Sequence, residues 1–440
     1  MKEVTVQDQK VLVVRTQGQY FAVGGRCSHY NAPLIKGALV GERVRCPFHG
    51  ACFNVRTGDI EDYPGLDSLP TYKVKQHANT SLKLTKRVKE MCTLEPGAKH
   101  TVLLVGGGPA SLVCAETLRQ NCYQGRIIMV TKDSLPPYDK TKLSKVMNVE
   151  SSSILLRPAE FYQQYGIEVW TNKEVVSVNP GDKLVKMNDG ALQHYDQLLI
   201  STGCRARPLS CPGSDLKGVH LLQSYDDMLE ERNVKFYMNS KVTEIRGENG
   251  KVKEVVLNNG TVLEADVVLA GIGVIPNSGF LAGTEIAVDS NKAVIVDKFM
   301  RTNTPDIFAA GDVTSFPLTI RGGEQVNIGH WQMSQAHGKI AGLNMMKKPT
   351  PIESVPFFWT SFLGKSIRYT GYGEGYTEII FKGKVEERKF LAFYIKKDVV
   401  VAASSLMFDP AVAQVAELMS KGNVITKAQA QADSLSWLQM

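Results

Sequence analysis

Four residues among the first fifty constrain this chain more than any other feature. They stand as Cys27-x-His29 in "RCSHYNAPL" and, after a gap of sixteen residues, as Cys46-x-x-His49 in "RCPFHGACF". Each segment offers one thiolate and one imidazole, so a fold that joins the two loops creates a site with two sulfur and two nitrogen donors. Iron–sulfur chemistry gives that set a reason. Two thiolates hold one iron of a 2Fe–2S cluster and two neutral imidazoles the other, and exchanging anionic sulfur for neutral nitrogen raises the reduction potential. Pro47 stiffens one loop, and Gly50 lets backbone approach the cluster. A tetrahedral zinc site also takes two Cys and two His, although zinc modules more often pair like with like in each loop. Two core histidines beside buried thiols are the plainest alternative.

Composition keeps the metal reading open. Eight cysteines in 440 residues are not a disulfide framework. The opening residues "MKEVTVQDQK" show neither a secretory nor a transit pattern, so most thiols are expected to be reduced. The longest apolar run, near "VVLAGIGVI" (267–275), is too short to span a bilayer, and no transmembrane segment is expected. Net charge is +7, but the basic residues are scattered, and "KLTKRVK" and "MMKKP" are short. That predicts a solvated, mildly basic surface and no nucleic-acid partner.

Around the two loops, segments such as "KVLVVRTQGQYFAVGG" alternate apolar and polar residues between turn signals, predicting a small all-β domain over 1–85. With "HGACFN" and "TGDIEDYPG" after the second loop, it closely resembles a Rieske domain. Cys52 is not at a ligand position and reads as a structural thiol. "KRVKEMCTLEPGAK" (86–99) is charged and aperiodic. It predicts a linker over 86–98, and as a flexible coil it would span on the order of 20 Å.

"TVLLVGGGPASLVCAETLRQ" then gives a buried strand at Thr101–Val105, a tight turn at Gly106, Gly107 and Gly108, and a helix from Pro109 to Gln120. A second strand, "RIIMVTKD", follows. Glycines let backbone N–H groups meet a pyrophosphate at the helix N-terminus. The strand–turn–helix–strand order is stronger evidence than the glycines alone. Two positions depart from the pattern: Ser111 takes the third small position, and Lys132, with Asp133 next to it, stands where an acid should hold the ribose.

"TNTPDIFAAGDVTSF" (302–316) resembles the flavin-binding segment of two-dinucleotide-domain flavoproteins. It implies that Ile307–Ala310 forms a strand delivering Gly311, for close backbone approach, and Asp312, for ribityl hydroxyls. "PYDKTKLSK" (137–145) resembles the segment beside the flavin in apoptosis-inducing-factor-type and ferredoxin-reductase-type enzymes. The resemblance implies that Lys145 sits at the reactive nitrogen, where a cation stabilises reduced flavin. Trp331 and Trp359 are flavin-side aromatics by the same resemblance, and core packing explains either equally well. "HWQMSQAHGKIAGLNMM" reads as a helix with small residues at Ser334, Gly338 and Ala341. Residues 123–203 hold no cysteine, which argues against thiol–disulfide chemistry.

The full order resembles the apoptosis-inducing-factor-like flavoproteins with an N-terminal Rieske domain, of the homologue 3 type. It implies a multidomain fold: a Rieske domain, an α/β doubly wound FAD domain in two segments (99–218 and 291–347), a nicotinamide domain between them (219–290), and a C-terminal α+β domain (348–440). Only about 70 residues separate Gly203 from Gly271, and a βαβ unit takes roughly 30. No glycine triplet opens a helix there, so the first βαβ of the nicotinamide domain is expected to be missing and residues 219–290 to pack poorly.

The expected function is an FAD- and 2Fe–2S-dependent oxidoreductase that moves electrons between flavin and cluster. NAD(P)H is the donor in the intact family and doubtful here. The alternative is a redox-inactive interaction protein in cell-death signalling. Mitochondria are implied by resemblance alone, with the cytoplasm left open, and an N-terminal piece can be missing. The electron acceptor and the oligomeric state are not legible.

Overall fold

A computed structural model of the chain describes residues 1–73, 86–143, 150–221, 237–362 and 364–438. The alternating segments at the N-terminus form two four-stranded antiparallel sheets. One joins Lys2–Val6, Gln9–Thr16, Gln19–Gly24 and Thr71–Tyr72; the other joins Ala38–Val40, Arg43–Arg45, Cys52–Asn54 and Ile60–Asp62. Leu12, Val14, Val23, Leu34, Val44, Phe53 and Leu69 fill the space between them, with Cys27 and Cys46 at the edge of the same core.

Residues 86–99 lack regular structure apart from an isolated bridge, but they are not a free tether. Arg87 exchanges two backbone hydrogen bonds with Ser68, at 2.9 and 3.0 Å. The Cys92 N–H donates to the Arg119 carbonyl (3.0 Å) and that of Glu95 to Gln124 (2.9 Å). Each end thus satisfies backbone groups on a different domain, which corrects the flexible-coil expectation for these residues.

Beyond the linker, five parallel strands lie in the order Ile167–Trp170, Arg126–Val130, Thr101–Val105, Gln197–Ile200, Ile307–Ala309. Val102 to Leu104 and Ile127 to Met129 are fully buried, as near-continuous apolar runs in a doubly covered sheet should be. The helix Pro109–Gln120 packs against the helix Trp331–Met345. Their approach is close because Gly338 has no side chain: a Cβ there would lie 2.2 Å from the Ala110 carbonyl oxygen.

Between the two segments of this domain, Val219–Leu221 pairs in parallel with Val268–Ala270, and among the described residues that two-stranded pairing goes no further. An antiparallel sheet of Val242–Glu248, Lys251–Leu257 and Val262–Glu264 stands beside it, turning at "ENGK" and "NNGT". Val262, Val267, Ile272 and Val274 are 46–50% exposed, whereas Ile245, Val252, Val255, Leu257 and Ala270 of the same region are buried.

The C-terminal part is a five-stranded antiparallel sheet, Phe357–Phe362, Lys365–Gly371, Val399–Leu406, Lys389–Lys396 and Glu378–Lys384, backed by the helix Ala411–Ser420.

Buried charges weld the N-terminal domain to the rest. Arg157 donates Nε and Nη2 to Glu116 on the first long helix (2.8 and 3.0 Å) and Nη1 to Asp67 of the N-terminal domain (2.8 Å). Arg157 and Glu116 side chains are 8% and 5% exposed. Removing one partner of such a pair strands the other charge, at a cost of about 3–5 kcal/mol. Arg157→Ala is therefore expected to lower stability by about that amount and to open the 67–116 contact to limited proteolysis. A variant with an unchanged denaturation midpoint contradicts this.

Candidate metal centre and flavin cradle

The two Cys/His loops are conformational twins. In each, the Cys N–H donates to the carbonyl five residues on (Cys27 to Ala32, 2.9 Å; Cys46 to Ala51, 2.8 Å), and the N–H four residues on returns to the Cys carbonyl (Asn31, 2.9 Å; Gly50, 3.1 Å). That closure puts the fourth residue in the left-handed region, with φ 55° at Asn31 and 80° at Gly50, which suits the two residue types found there.

The loops bring all four expected ligands together. The Cys27 and Cys46 thiols share a hydrogen bond, which with burial pushes Cys27 up while the same contact holds Cys46 down. The His29 and His49 rings lie 4.9 Å apart, near perpendicular. Burial and the neighbouring His49 and Lys86 lower His29 to about 3, and its Nδ1 is buried without a hydrogen-bond partner. A neutral imidazole with a stranded lone pair is what a metal ligand looks like without its metal. Among the described residues no three His, Cys, Asp or Glu side chains are grouped to hold one ion. Two adjacent pairs suit a two-iron centre, where each iron takes two protein ligands, better than one tetrahedral zinc.

Trp359, read as a flavin-side or core aromatic, packs against the imidazole pair and against His330. Its ring lies 4.9 Å from His49, 6.0 Å from His29 and 4.9 Å from His330. His330 caps the helix Trp331–Met345, its ring accepting from the Gln332 N–H, and its backbone N–H helps hold the Asp312 carboxyl down. Contacts thus run unbroken from the imidazole pair to the segment read as flavin-binding.

In that cradle, Gly106 (φ 122°) sits where a Cβ would lie 2.2 Å from the Ser201 carbonyl oxygen, whereas a Cβ on Gly108 would meet nothing within 4 Å. The helix N-terminus therefore opens onto free space, as a phosphate-binding turn requires. Ser111 is fully buried, and its Oγ lies 2.5 Å from Ser201 Oγ, which donates to the Val105 carbonyl. The departure from Gly or Ala is absorbed by a hydroxyl pair. Asp133 is half-buried, and Lys140 (3.3 Å) and the Tyr138 hydroxyl (3.4 Å) meet its carboxylate. Lys132 is exposed.

Gly311 has φ 81°, with Ser334 and Ala110 about it. Asp312 accepts from Ser334 Oγ (2.9 Å); burial raises its carboxyl while the Ser334 and His330 donors oppose that. Trp331 is half-buried at the first turn of the long helix. Lys145 lies outside the described residues.

Sequence reasoning missed Arg45. This fully buried guanidinium donates to the Gly50 carbonyl (2.8 Å), to Asp62 (3.2 and 3.3 Å) and to Glu417. The Glu417 carboxylate, which burial alone would raise, is held down by Arg45 and Arg43. Cys52 is structural as expected, its thiol buried and pushed up to about 12. The visible signal was an arginine directly before a ligand cysteine, in the strand Arg43–Arg45.

Residues 1–73 match the Rieske [2Fe-2S] domain family and 357–438 the reductase C-terminal family. Residues 100–230 and 220–338 match the pyridine nucleotide-disulphide oxidoreductase family in two overlapping pieces. The chain is 39% identical to apoptosis-inducing factor 3 of Mus musculus over 518 positions, covering 100% of this chain and 86% of that protein. That alignment is longer than the 440 residues here. The fold is similar to a ferredoxin reductase for the CYP199A2 system from Rhodopseudomonas palustris (TM-score 0.70, 22% identity, 78% of this chain and 100% of that one). It is also similar to the covalent putidaredoxin reductase–putidaredoxin complex (TM-score 0.70, 22% identity, 77% and 97%).

His337 gives the cradle a pH dependence. It is fully buried, accepts from the Gly311 N–H at Nδ1 (3.2 Å), and burial lowers it to about 3. Its unfolded value is near 6.5. Below that pH the unfolded chain binds a proton the folded chain refuses, so stability falls from about pH 6.5 toward about 3. His337→Gln keeps an acceptor and cannot charge. Its denaturation midpoint should drop less than the wild type's between neutral pH and pH 5, and equal drops contradict the assignment.

Proposed function

We propose that this chain, which belongs to the apoptosis-inducing factor 3 family, moves electrons between an FAD and a Rieske cluster held in one rigid body. The observation that carries the reading is the contact path from the His29–His49 pair through Trp359 and His330 to Asp312. The chain is a flavin-dependent oxidoreductase with a Rieske domain, and each cofactor has its own set of residues.

Cys27 and Cys46 would hold one iron and His29 and His49 the other. Gly106, Gly108 and Ser111 would shape the pyrophosphate turn, Asp133 the ribose end, and Gly311, Asp312 and Trp331 the ribityl and ring side. Lys145 is assigned to the flavin's reactive nitrogen by resemblance. When bound, flavin exchanges electrons singly or in pairs and the cluster carries one at a time. The protein's part is positioning: an aromatic-lined junction and fixed dipoles, with no general acid or base required.

Domains are placed at 1–85, 86–98, 99–218 with 291–347, 219–290 and 348–440. NAD(P)H serves as donor in the intact design, and the two-stranded pairing at 219–221 and 268–270 supports weak nicotinamide binding here. Mitochondrial residence and a part in apoptosis rest on the relative's name alone.

Protein purified without oxygen should show both flavin and Rieske absorption bands, contain iron without stoichiometric zinc, and be reduced fully by dithionite. Micromolar NADH should leave the flavin oxidised on the millisecond scale. Stoichiometric zinc with no iron overturns the cluster assignment, and rapid bleaching by NADH overturns the nicotinamide reading.

A further inference from the structure

The C-terminal domain meets the cluster loop at several points: Arg368 Nε donates to the Pro47 carbonyl (3.3 Å), Trp359 lies 4.9 Å from His49, and one carboxylate, Glu417, reaches the buried charges behind the loop. Glu417, on the helix Ala411–Ser420, is fully buried and accepts from the fully buried Arg45 Nε. Arg45 immediately precedes Cys46. Its Nη1 donates to the Gly50 carbonyl at 2.8 Å, closing the loop that carries Cys46 and His49. Asp62 takes the rest of the guanidinium at 3.2–3.3 Å. Arg43 Nη1 stands 3.8 Å from Glu417 Oε2, with its Nε 3.0 Å from Glu61. Cys52 Sγ lies 3.5 Å from Glu417 Oε1.

A junction of this kind gains little stability from charge, since a hydrophobic pair of similar volume often does as well or better. What the charges do supply is a fixed field beside the Cys46 thiol. We infer that Glu417 is a positioning residue for the cluster, fixing Arg45 and the 46–51 loop and lowering the cluster's reduction potential with its negative charge. The inference rests on the cluster assignment above. With Glu417 in place, the Arg45 charge is opposed from both sides; without it, Asp62 alone opposes a cation next to a ligand, and an added electron is favoured. At an effective dielectric near 20, one buried charge at such range changes an equilibrium on the order of tenfold.

The test is a redox titration of the full-length holoprotein, followed by the cluster's EPR signal. In Glu417→Gln, which keeps shape and loses charge, the reduced-to-oxidised ratio at fixed potential should rise about tenfold, about 59 mV for one electron. Glu417→Asp should stay within about threefold of wild type. An unmoved potential in Glu417→Gln, with wild-type proteolysis and EPR line shape, overturns the inference while leaving the cluster assignment intact. Should Glu417→Gln not load iron, Arg43→Gln reads the same field with opposite sign. Its ratio should fall severalfold, and an unchanged or raised ratio overturns the inference. A wild-type protein without a Rieske signal removes the cluster assignment and this inference together.

Discussion

A guanidinium with no access to water has to be surrounded, and Arg45 is surrounded by three different parts of the chain. Asp62 and the Gly50 carbonyl come from its own domain and Glu417 from the C-terminal helix. Gln332, from the long helix of the dinucleotide domain, donates to the other oxygen of Asp62 at 3.2 Å. Pulling the C-terminal helix away would leave Arg45 with Asp62 alone and Glu417 without its guanidinium, and pulling the long helix away would take a hydrogen bond from Asp62. Arg157 repeats the arrangement on the other flank with Asp67 and Glu116. The metal-binding domain is therefore not a carrier on a tether. It is a fixed wall of the junction, and the relation of its imidazole pair to Trp359 and His330 is set by these ion pairs.

Rigidity has a consequence for chemistry. A swinging carrier must search for its partner in each cycle, whereas groups held in place need only positioning already built into the fold. The cost falls on the interface, which must desolvate several charges, and the hydrogen bonds from Gln332, Gln335 and Lys339 to Asp62, the Gly65 carbonyl and the Glu61 carbonyl show how the remaining polar groups are satisfied. The nicotinamide region follows the opposite logic. Among the described residues its parallel pair is two-stranded, and Val262, Val267 and Val274 around it are about half exposed.

What the sequence revealed was what is local. The strand Thr101–Val105, the glycine turn and the helix Pro109–Gln120 stand where periodicity and glycine chemistry put them. The ligand loops were legible because thiol and imidazole spacing lies within one turn. The twin closures were not read, although Asn31 and Gly50 are both turn-tolerant and both precede Ala. The illegible features join residues far apart in the chain. Arg45 and Glu417 are separated by 372 positions, and Ser111 answers Ser201 across 90. Trp359 meets His49 because a C-terminal strand is laid on the second loop, with Phe357 against Gly50. The linker looked free because its partners are backbone carbonyls, which leave no mark in composition.

The central claim is a mixed-ligand diiron centre held immobile against the flavin domain. Pulsed dipolar EPR tests it directly, measuring the distance between the reduced cluster and a nitroxide at Leu192, an exposed site on the flavin domain, in a Cys122→Ser background. One narrow distance is predicted, unchanged by ionic strength. A broad or salt-dependent distribution, or no Rieske signal at all, contradicts it.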